Sequence, residues 1–448
     1  MQVTETLSDG LKREFKVVVP VEELDGRLVE RLNDLKNQVR IKGFRPGKVP
    51  VNHLRKLYGR SAMAEIVQDT LREVARKTLD DRGERAATPP DYDLPEDQGE
   101  ADKILTGRGD LAYTMSYEVL PQITLGDFKS IKVERPMVEV SEEEIETQLK
   151  QLAESGRAYE PKDGKAEKGD RVTFSYLGKI DGEPFEGGAN EDATVRLGDG
   201  QFIPGFEEQL EGMKAGDESV INVTFPEDYR ATHLAGKAAS FDVTVKQVAA
   251  PGELVMDDRL AERLGLESID KLKDAIRQQL RSQYGEASRM KVKRQILDQL
   301  DQTHSFDLPA KMVETEFQNI WRQITADMAQ GGRTFEAEGT TEEAAQADYR
   351  KIAERRVRLG LVLSEIGERN NIQVTEEEVQ RALQAQLRQF PGNEQMVLNY
   401  YRNDPDALAS LRAPIFEEKV VDFLLELVNV TDKPVTREEL FQEDEAPV

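Results

Sequence analysis

The 448-residue chain has no cysteine, so disulfides and thiolate chemistry are excluded. Its three histidines, His53, His233 and His304, lie far apart and show no metal-ligand spacing, so each reads as structural or solvated. No run of about 18 apolar residues is present, so no membrane-spanning helix is expected. The opening Met1-Gln2-Val3-Thr4-Glu5 lacks a basic region and an apolar stretch, so no signal peptide is expected. With the missing cysteine, this fits a cytoplasmic, reducing setting. No Walker-type glycine-rich phosphate loop occurs, which argues against nucleotide use, and no cofactor is expected.

What is present is charge, and it is unevenly placed. Charged residues make up 33% of the chain and the formal net charge is −25. Yet from Lys36 to Arg60 there are eight Lys or Arg and no Asp or Glu. Within that island lies Gly43-Phe44-Arg45-Pro46-Gly47-Lys48-Val49-Pro50, whose paired glycines and prolines describe a shaped loop. A single-sign cationic block suits a phosphate backbone, because released counterions drive such association. Arg45 suits bidentate phosphate contact and Lys48 acts as a point charge. Phe44 is either an apolar tip on this loop or an ordinary core residue.

The length suggests about two to four domains. Up to about Glu118, Phe15, Val17 and Val19 alternate as a strand. Leu24, Leu28, Leu32, Leu35 and Val39 then recur at helix spacing. A second helix is expected from about Ala62 to Asp81, broken by Thr88-Pro89-Pro90, and Tyr113 to Val119 closes the segment as a strand. From about Glu167 to Val248 the pattern changes. Arg171 to Tyr176 alternates, Asp181-Gly182 reads as a tight hairpin turn, and Val220 to Thr224 and Phe241 to Val245 are further β runs. Phe206 to Met213 is the one short helix. On pattern alone, the aromatics here read as the core of a small antiparallel sheet.

The rest is helical. Ser141-Glu142-Glu143-Glu144 is a capping box opening a helix that ends near Gly156. Asp307-Leu308-Pro309 and Val374-Thr375-Glu376-Glu377 are start signals for later amphipathic helices. Met312, Phe317, Trp321, Met328, Phe390, Met396 and Tyr400 are adaptable apolar residues whose helical spacing reads first as helix–helix core. The final Glu443-Asp444-Glu445 tail is expected to be disordered.

The run Phe202-Ile203-Pro204-Gly205-Phe206-Glu207, with the order of strands around it, resembles the FKBP-type peptidyl-prolyl isomerases. The resemblance implies a proline pocket lined by Tyr176, Phe185, Glu186, Val195, Phe202, Ile203, Phe206 and Phe241. It implies chemistry without nucleophile, metal or cofactor: an apolar site that binds the twisted amide better than the planar one. Two departures stand out. Glu186 replaces the usual Asp beside Phe185, and Ala231 stands where many FKBPs carry a Tyr hydroxyl, with Tyr229 and His233 close by. These bear on macrolide-type inhibitor binding more than on isomerisation.

The basic octapeptide resembles the ribosome-docking signature of the trigger factor family, and the resemblance extends over nearly the full length. It implies that Gly43, Phe44, Arg45, Pro46, Gly47 and Lys48 dock on the large ribosomal subunit near the exit tunnel, on protein and rRNA. Pro46 stands where some relatives carry a third cation, which leaves Arg45 and Lys48 to carry the charge. The implied fold class is multidomain α+β. It has a small α+β ribosome-binding domain (1–118) and an FKBP-like antiparallel sheet with one short helix (159–250). A discontinuous, elongated, all-helical substrate-binding domain comprises 119–158 and 251–448. The implied function is an ATP-independent chaperone for nascent and unfolded polypeptides that also isomerises X-Pro bonds, with a homodimer allowed off the ribosome and no membrane partner. The linkers Ser155–Glu167 and Ala249–Glu253, rich in Gly, Pro and charge, suit an inserted domain. Two other functions fit the residues: a dedicated FKBP-type isomerase with substrate-delivery domains, and an RNA-binding protein using the basic loop on free RNA.

Overall fold

The computed structural model describes residues 1–442 except 40, 42, 43, 45, 46, 96, 228, 230, 232 and 338, and the side chains at 405 and 406. The acidic tail at 443–445 thus lies outside the described residues. The chain divides into two compact units, Met1–Pro136 with Ser288–Val448, and Met137–Ala287. Among the described residues no helix is long and apolar enough to cross a membrane.

The first unit begins with an antiparallel sheet of Gln2–Asp9, Lys12–Val19, Leu111–Glu118 and Asp91–Asp93, in that spatial order. Phe15, Val17 and Val19 point into a core shared with Leu24, Leu28 and Leu32 of the helix Val21–Gln38. The second helix is Val51–Arg82, so it starts eleven residues before the expected Ala62. Pro50 occupies its N-cap with φ −63, and Leu54 and Met63 already face the core. Arg55, Lys56 and Arg60 therefore ride on helical turns; the density of charge had masked the apolar spacing beneath. At the far end of this helix, Glu84 ties it to the sheet. Its carboxylate accepts from Arg13 Nε at 3.0 Å, Arg82 Nε at 2.9 Å and the Tyr117 hydroxyl at 2.8 Å. Burial pushes this carboxyl up, but the hydrogen bonds from Arg82, Tyr117 and Arg13 outweigh it and hold it at about 2.

The same unit has a second core, made by the later half of Ile269–Thr303 with Ala310–Gly331, Glu342–Arg369 and Pro405–Leu427. Val292, Ile296, Leu300, Val362, Ile366, Val420 and Leu424 are its buried centre. Gly367 lets Phe416 lie against the helix backbone: a Cβ there would come 2.2 Å from the ring. The expected starts hold here, with Pro309 at one N-cap and Thr375 forming a capping box with Glu378 at another. Helix periodicity gave no hint of one addition, a two-stranded ladder of Lys132–Met137 with Asn429–Pro434. Arg135 and Asp432 pair across it at 2.6 Å. In this unit Arg85 also makes a bidentate pair with Glu368, both bonds at 2.8 Å.

The second unit is built around the antiparallel strand Ala238–Pro251. One edge pairs with Arg171–Ile180, which pairs in turn with Glu183–Arg196. The other edge pairs with Glu218–Thr224 and then with Tyr159–Pro161. Asp181 (φ 53) and Gly182 (φ 87) make the expected two-residue hairpin between Ile180 and Glu183, and both need the left-handed backbone. The expected short helix is Phe206–Leu210, ending before the left-handed Gly212 (φ 86). The two expected linkers are joined to each other. Ala249, Ala250 and Pro251 pair with Pro161, Glu160 and Tyr159, and Gly252 donates to the Ala158 carbonyl at 2.8 Å. Glu142–Ser155 carries its capping box from Ser141 to Glu144 and buries Ile145 and Leu149.

Candidate functional sites

One side of the second unit's sheet is an aromatic box. Phe241 projects from the central strand, Tyr176 from its neighbour, and Phe206 from the first position of the short helix. Phe206 is 1% exposed, and its ring stands edge-on to Phe241, centroids 5.3 Å apart at 86°. Phe202 stacks on Phe206 at 5.0 Å and 18°, and Tyr176 meets Phe241 edge-on at 5.9 Å. Phe185 closes the box, edge-on to both Phe241 and Phe225. Offset and edge-to-face contacts of this kind fix ring orientation beyond what burial alone does.

Together these rings surround an open cavity of about 510 Å³. Of the eight residues implied by resemblance, Tyr176, Phe185, Glu186, Phe202, Ile203, Phe206 and Phe241 line it. Val195 does not. It is 1% exposed, opposite Val172 in the buried core, on the same face of the sheet as Tyr176 but further along the strands than the cavity reaches. The remaining wall is the segment after Glu218–Thr224, with Phe225, Tyr229, Ala231, His233 and Leu234. Phe225 and Leu234 were missed by sequence reasoning; the only signal was an aromatic beside proline in Thr224-Phe225-Pro226 at a strand end.

The Phe202 wall has a hidden support. The buried Glu207 carboxylate accepts from the amides of Gly198 at 2.9 Å, Gly200 at 3.1 Å and Phe202 at 3.1 Å. Burial pushes this carboxyl up, yet the backbone donors prevail and hold it below the usual carboxylate range. An ionised Glu207 thus pins the loop that carries Phe202 and Ile203.

The basic loop joins Val21–Gln38 to Val51–Arg82. Gly47, at φ 77, donates to the Lys36 carbonyl at 3.1 Å and closes the loop on the preceding helix. A Cβ at Gly47 would also approach Asn37 Oδ1 to 3.2 Å. Val49 anchors one end in the core, 1% exposed. Phe44 is not a core residue: it is 38% exposed, its ring 5.1 Å from His53, with Leu57 exposed one helical turn beyond His53. Gly43, Arg45 and Pro46 lie outside the described residues. The charge of the island is less free than its count implies, since Arg55 pairs with Asp25 and Arg60 with Asp102. Lys36, Lys48 and Lys56 make no ion pair among the described residues.

The adaptable apolar residues of the helices divide sharply. Phe317 and Met328 are buried, and Met312 and Trp321 are half-buried, as helix spacing suggests. Phe390, Met396 and Tyr400 do not fit that reading: they are 48%, 66% and 56% exposed. The helix Glu394–Asn403 buries no residue at all.

The strand order, short helix and aromatic cavity define an FKBP-type isomerase domain. Residues 162–246 match the family model described as FKBP-type peptidyl-prolyl cis-trans isomerase. Residues 1–152 match that of the bacterial trigger factor protein, and residues 268–426 that of its C-terminus. The trigger factor of Allorhizobium ampelinum is 58% identical, over 99% of this chain and 90% of the relative. That of Brucella abortus is 59% identical, over 99% and 94%. A solved structure of the trigger factor chaperone shares the fold, with a TM-score of 0.56 at 20% identity, over 95% of this chain and 99% of that one. The chain belongs to the trigger factor family. It is a ribosome-associated chaperone that binds nascent chains and carries FKBP-type peptidyl-prolyl isomerase activity.

Proposed function

We propose that the cavity beneath Phe202 is where an X-Pro bond is twisted, and that Tyr176, Phe185, Glu186, Phe202, Ile203, Phe206 and Phe241 form the working site. The observation that carries this reading is an aromatic cavity of about 510 Å³ whose floor, Phe206 and Phe241, is buried and apolar. The planar amide owes its barrier of about 18–20 kcal/mol to a dipolar resonance form. Moving the bond out of water weakens that form, and the twisted state, which has lost it, suffers less. Stacked rings hold the prolyl ring while the preceding carbonyl turns. Each ~1.4 kcal/mol by which the site favours the twisted state speeds rotation tenfold. Ala231 offers no hydroxyl to that carbonyl. The hydroxyls of Tyr176 and Tyr229 have no hydrogen-bond partner among the described residues and supply the alternative donors. Glu186 is exposed at the rim and orients flanking residues of the substrate.

The test is Phe202→Ala, which removes a half-buried wall without opening the core. Isomerisation of a prolyl peptide should fall by about tenfold or more, with aggregation suppression unchanged. Wild-type isomerisation by this variant would exclude the cavity as the site.

The basic loop, in this reading, docks the chain on the large ribosomal subunit near the exit tunnel, on rRNA and protein together. Phe44 supplies an exposed apolar contact, and Lys48 with the sequence neighbour Arg45 supplies phosphate contacts. Gly43 and Pro46, part of the same signature, lie outside the described residues, and Gly47 closes the turn. The working domains are 1–118 for docking, 159–250 for isomerisation, and 119–158 with 251–448 for client binding. Exposed Phe390, Met396 and Tyr400 offer weak apolar contacts that gain strength when several engage one client. The chain works in the cytoplasm without ATP and forms a homodimer off the ribosome, as the family likeness implies; sedimentation without ribosomes tests the dimer.

A further inference from the structure

Phe185 occupies its place because two other residues have no side chain. Gly178 and Gly188 are both buried and lie on the paired strands Arg171–Ile180 and Glu183–Arg196. The register there jumps from Leu177 opposite Ala189 to Lys179 opposite Pro184. Residues 185–188 therefore bulge out against Gly178 alone, and the Phe185 ring folds back over the bare backbone. A Cβ at Gly188 would come 2.8 Å from Phe185 Cζ and 2.9 Å from its Cε2; the three nearest atoms all belong to that ring. A Cβ at Gly178 would come 2.7 Å from Phe185 Cε1 and 2.6 Å from Phe241 Cε1. Neither glycine has the left-handed backbone that would by itself demand glycine, unlike Gly187 at φ 80, whose Cβ position is open. The requirement at 178 and 188 is space under a ring.

We propose that Gly178 and Gly188 are positioning residues of the isomerase: a side-chain-free bed that sets how far Phe185 reaches into the prolyl cavity. The ring is bounded edge-on by Phe225 at 6.0 Å and Phe241 at 6.1 Å. With those two sides closed, a methyl group beneath it pushes the ring toward the cavity, the space the substrate fills. Overfilled packing of this kind forces side chains off their preferred rotamers. The inference rests on reading this cavity as the isomerase site.

The experiment compares full-length wild type, Gly188→Ala, Phe185→Leu and the double variant in isomerising a prolyl peptide. Gly188→Ala should lower kcat/KM by about tenfold, mainly through a raised KM, since the lost space is lost to bound substrate as well. The double variant should be no worse than Phe185→Leu alone, because no ring remains to be displaced. Wild-type kinetics for Gly188→Ala, or independent losses that multiply in the double variant, would overturn the inference while leaving the site reading intact. Wild-type kinetics for Phe185→Leu would overturn both. If Gly188→Ala does not fold, the coupling is read in folding instead: rescue by Phe185→Leu supports the bed, and failure of rescue refutes it.

Discussion

Phe206 and Phe44 each follow a glycine in the sequence, and there the likeness ends. Phe206 is 1% exposed, stacked and edge-packed by other rings, with Glu207 beside it pinning the neighbouring loop. Phe44 is 38% exposed and touches one other ring, that of His53, within a segment held by its ends. A site that must favour one state of a small bond by a few kcal/mol needs fixed walls in a dry place. A site that must grip a large anionic surface needs reach and unpaired charge, and its affinity comes from counterion release. In the proposed reading the same residue type suits both, because its surroundings decide whether it packs or presents.

That contrast can be broken most severely at Phe206. Phe206→Ala removes a buried ring and should cost the Met137–Ala287 unit about 3–5 kcal/mol as well as isomerisation. Hydrogen exchange should show lost protection in the sheet around Ala238–Pro251, with Val21–Gln38 unaffected. Unchanged protection of that sheet would mean the ring is not part of its core.

The unit that carries Phe44 has its own point of failure. Glu84 is held at about 2 against an ordinary 4.5. A depressed carboxyl contributes stability that is fully present above about 4.5 and is lost as the pH falls through about 2. Its share is at most about 3 kcal/mol. Acid unfolding of this sheet should therefore steepen between those values, and Glu84→Gln should flatten the curve across them. An identical acid profile for the two chains would rule the Glu84 knot out as a source of pH dependence.

Smaller effects are expected where apolar groups only present themselves. Phe390→Ser, Met396→Ser and Tyr400→Ser together should weaken aggregation suppression several-fold. Stability should change by no more than about 0.5 kcal/mol per site, because these side chains are exposed. Full aggregation suppression by the triple variant would remove the Phe390–Tyr400 stretch from the client surface.

The residues of both proposed sites were legible in the sequence, and their supports were not. Regular spacing revealed the strands around Phe15 and Phe241 and the helices capped at Ser141 and Thr375, since alternation and capping are local signals. Helix start Val51 was hidden because Arg55, Lys56 and Arg60 surround Leu54, so charge hid the apolar stripe. Val195 shares the inner face of the sheet with Tyr176 but lies in its core, and how far along a strand a cavity reaches is not written in the alternation. The strand Asn429–Pro434 and the pairing of the two linkers depend on distant partners, which no local pattern records. The exposure of Met396 and Tyr400 was equally invisible: an amphipathic helix announces an apolar face but not whether anything covers it.

The proposed sites assign docking and catalysis to separate residues, and co-sedimentation with ribosomes tests that proposal most directly. The chain carrying Phe44→Ala and Lys48→Ala should lose most of its co-sedimentation at moderate salt, by about tenfold or more. The same preparation should isomerise a prolyl peptide within about twofold of wild type. Undiminished co-sedimentation, or a matching loss of isomerisation in a folded chain, would contradict it.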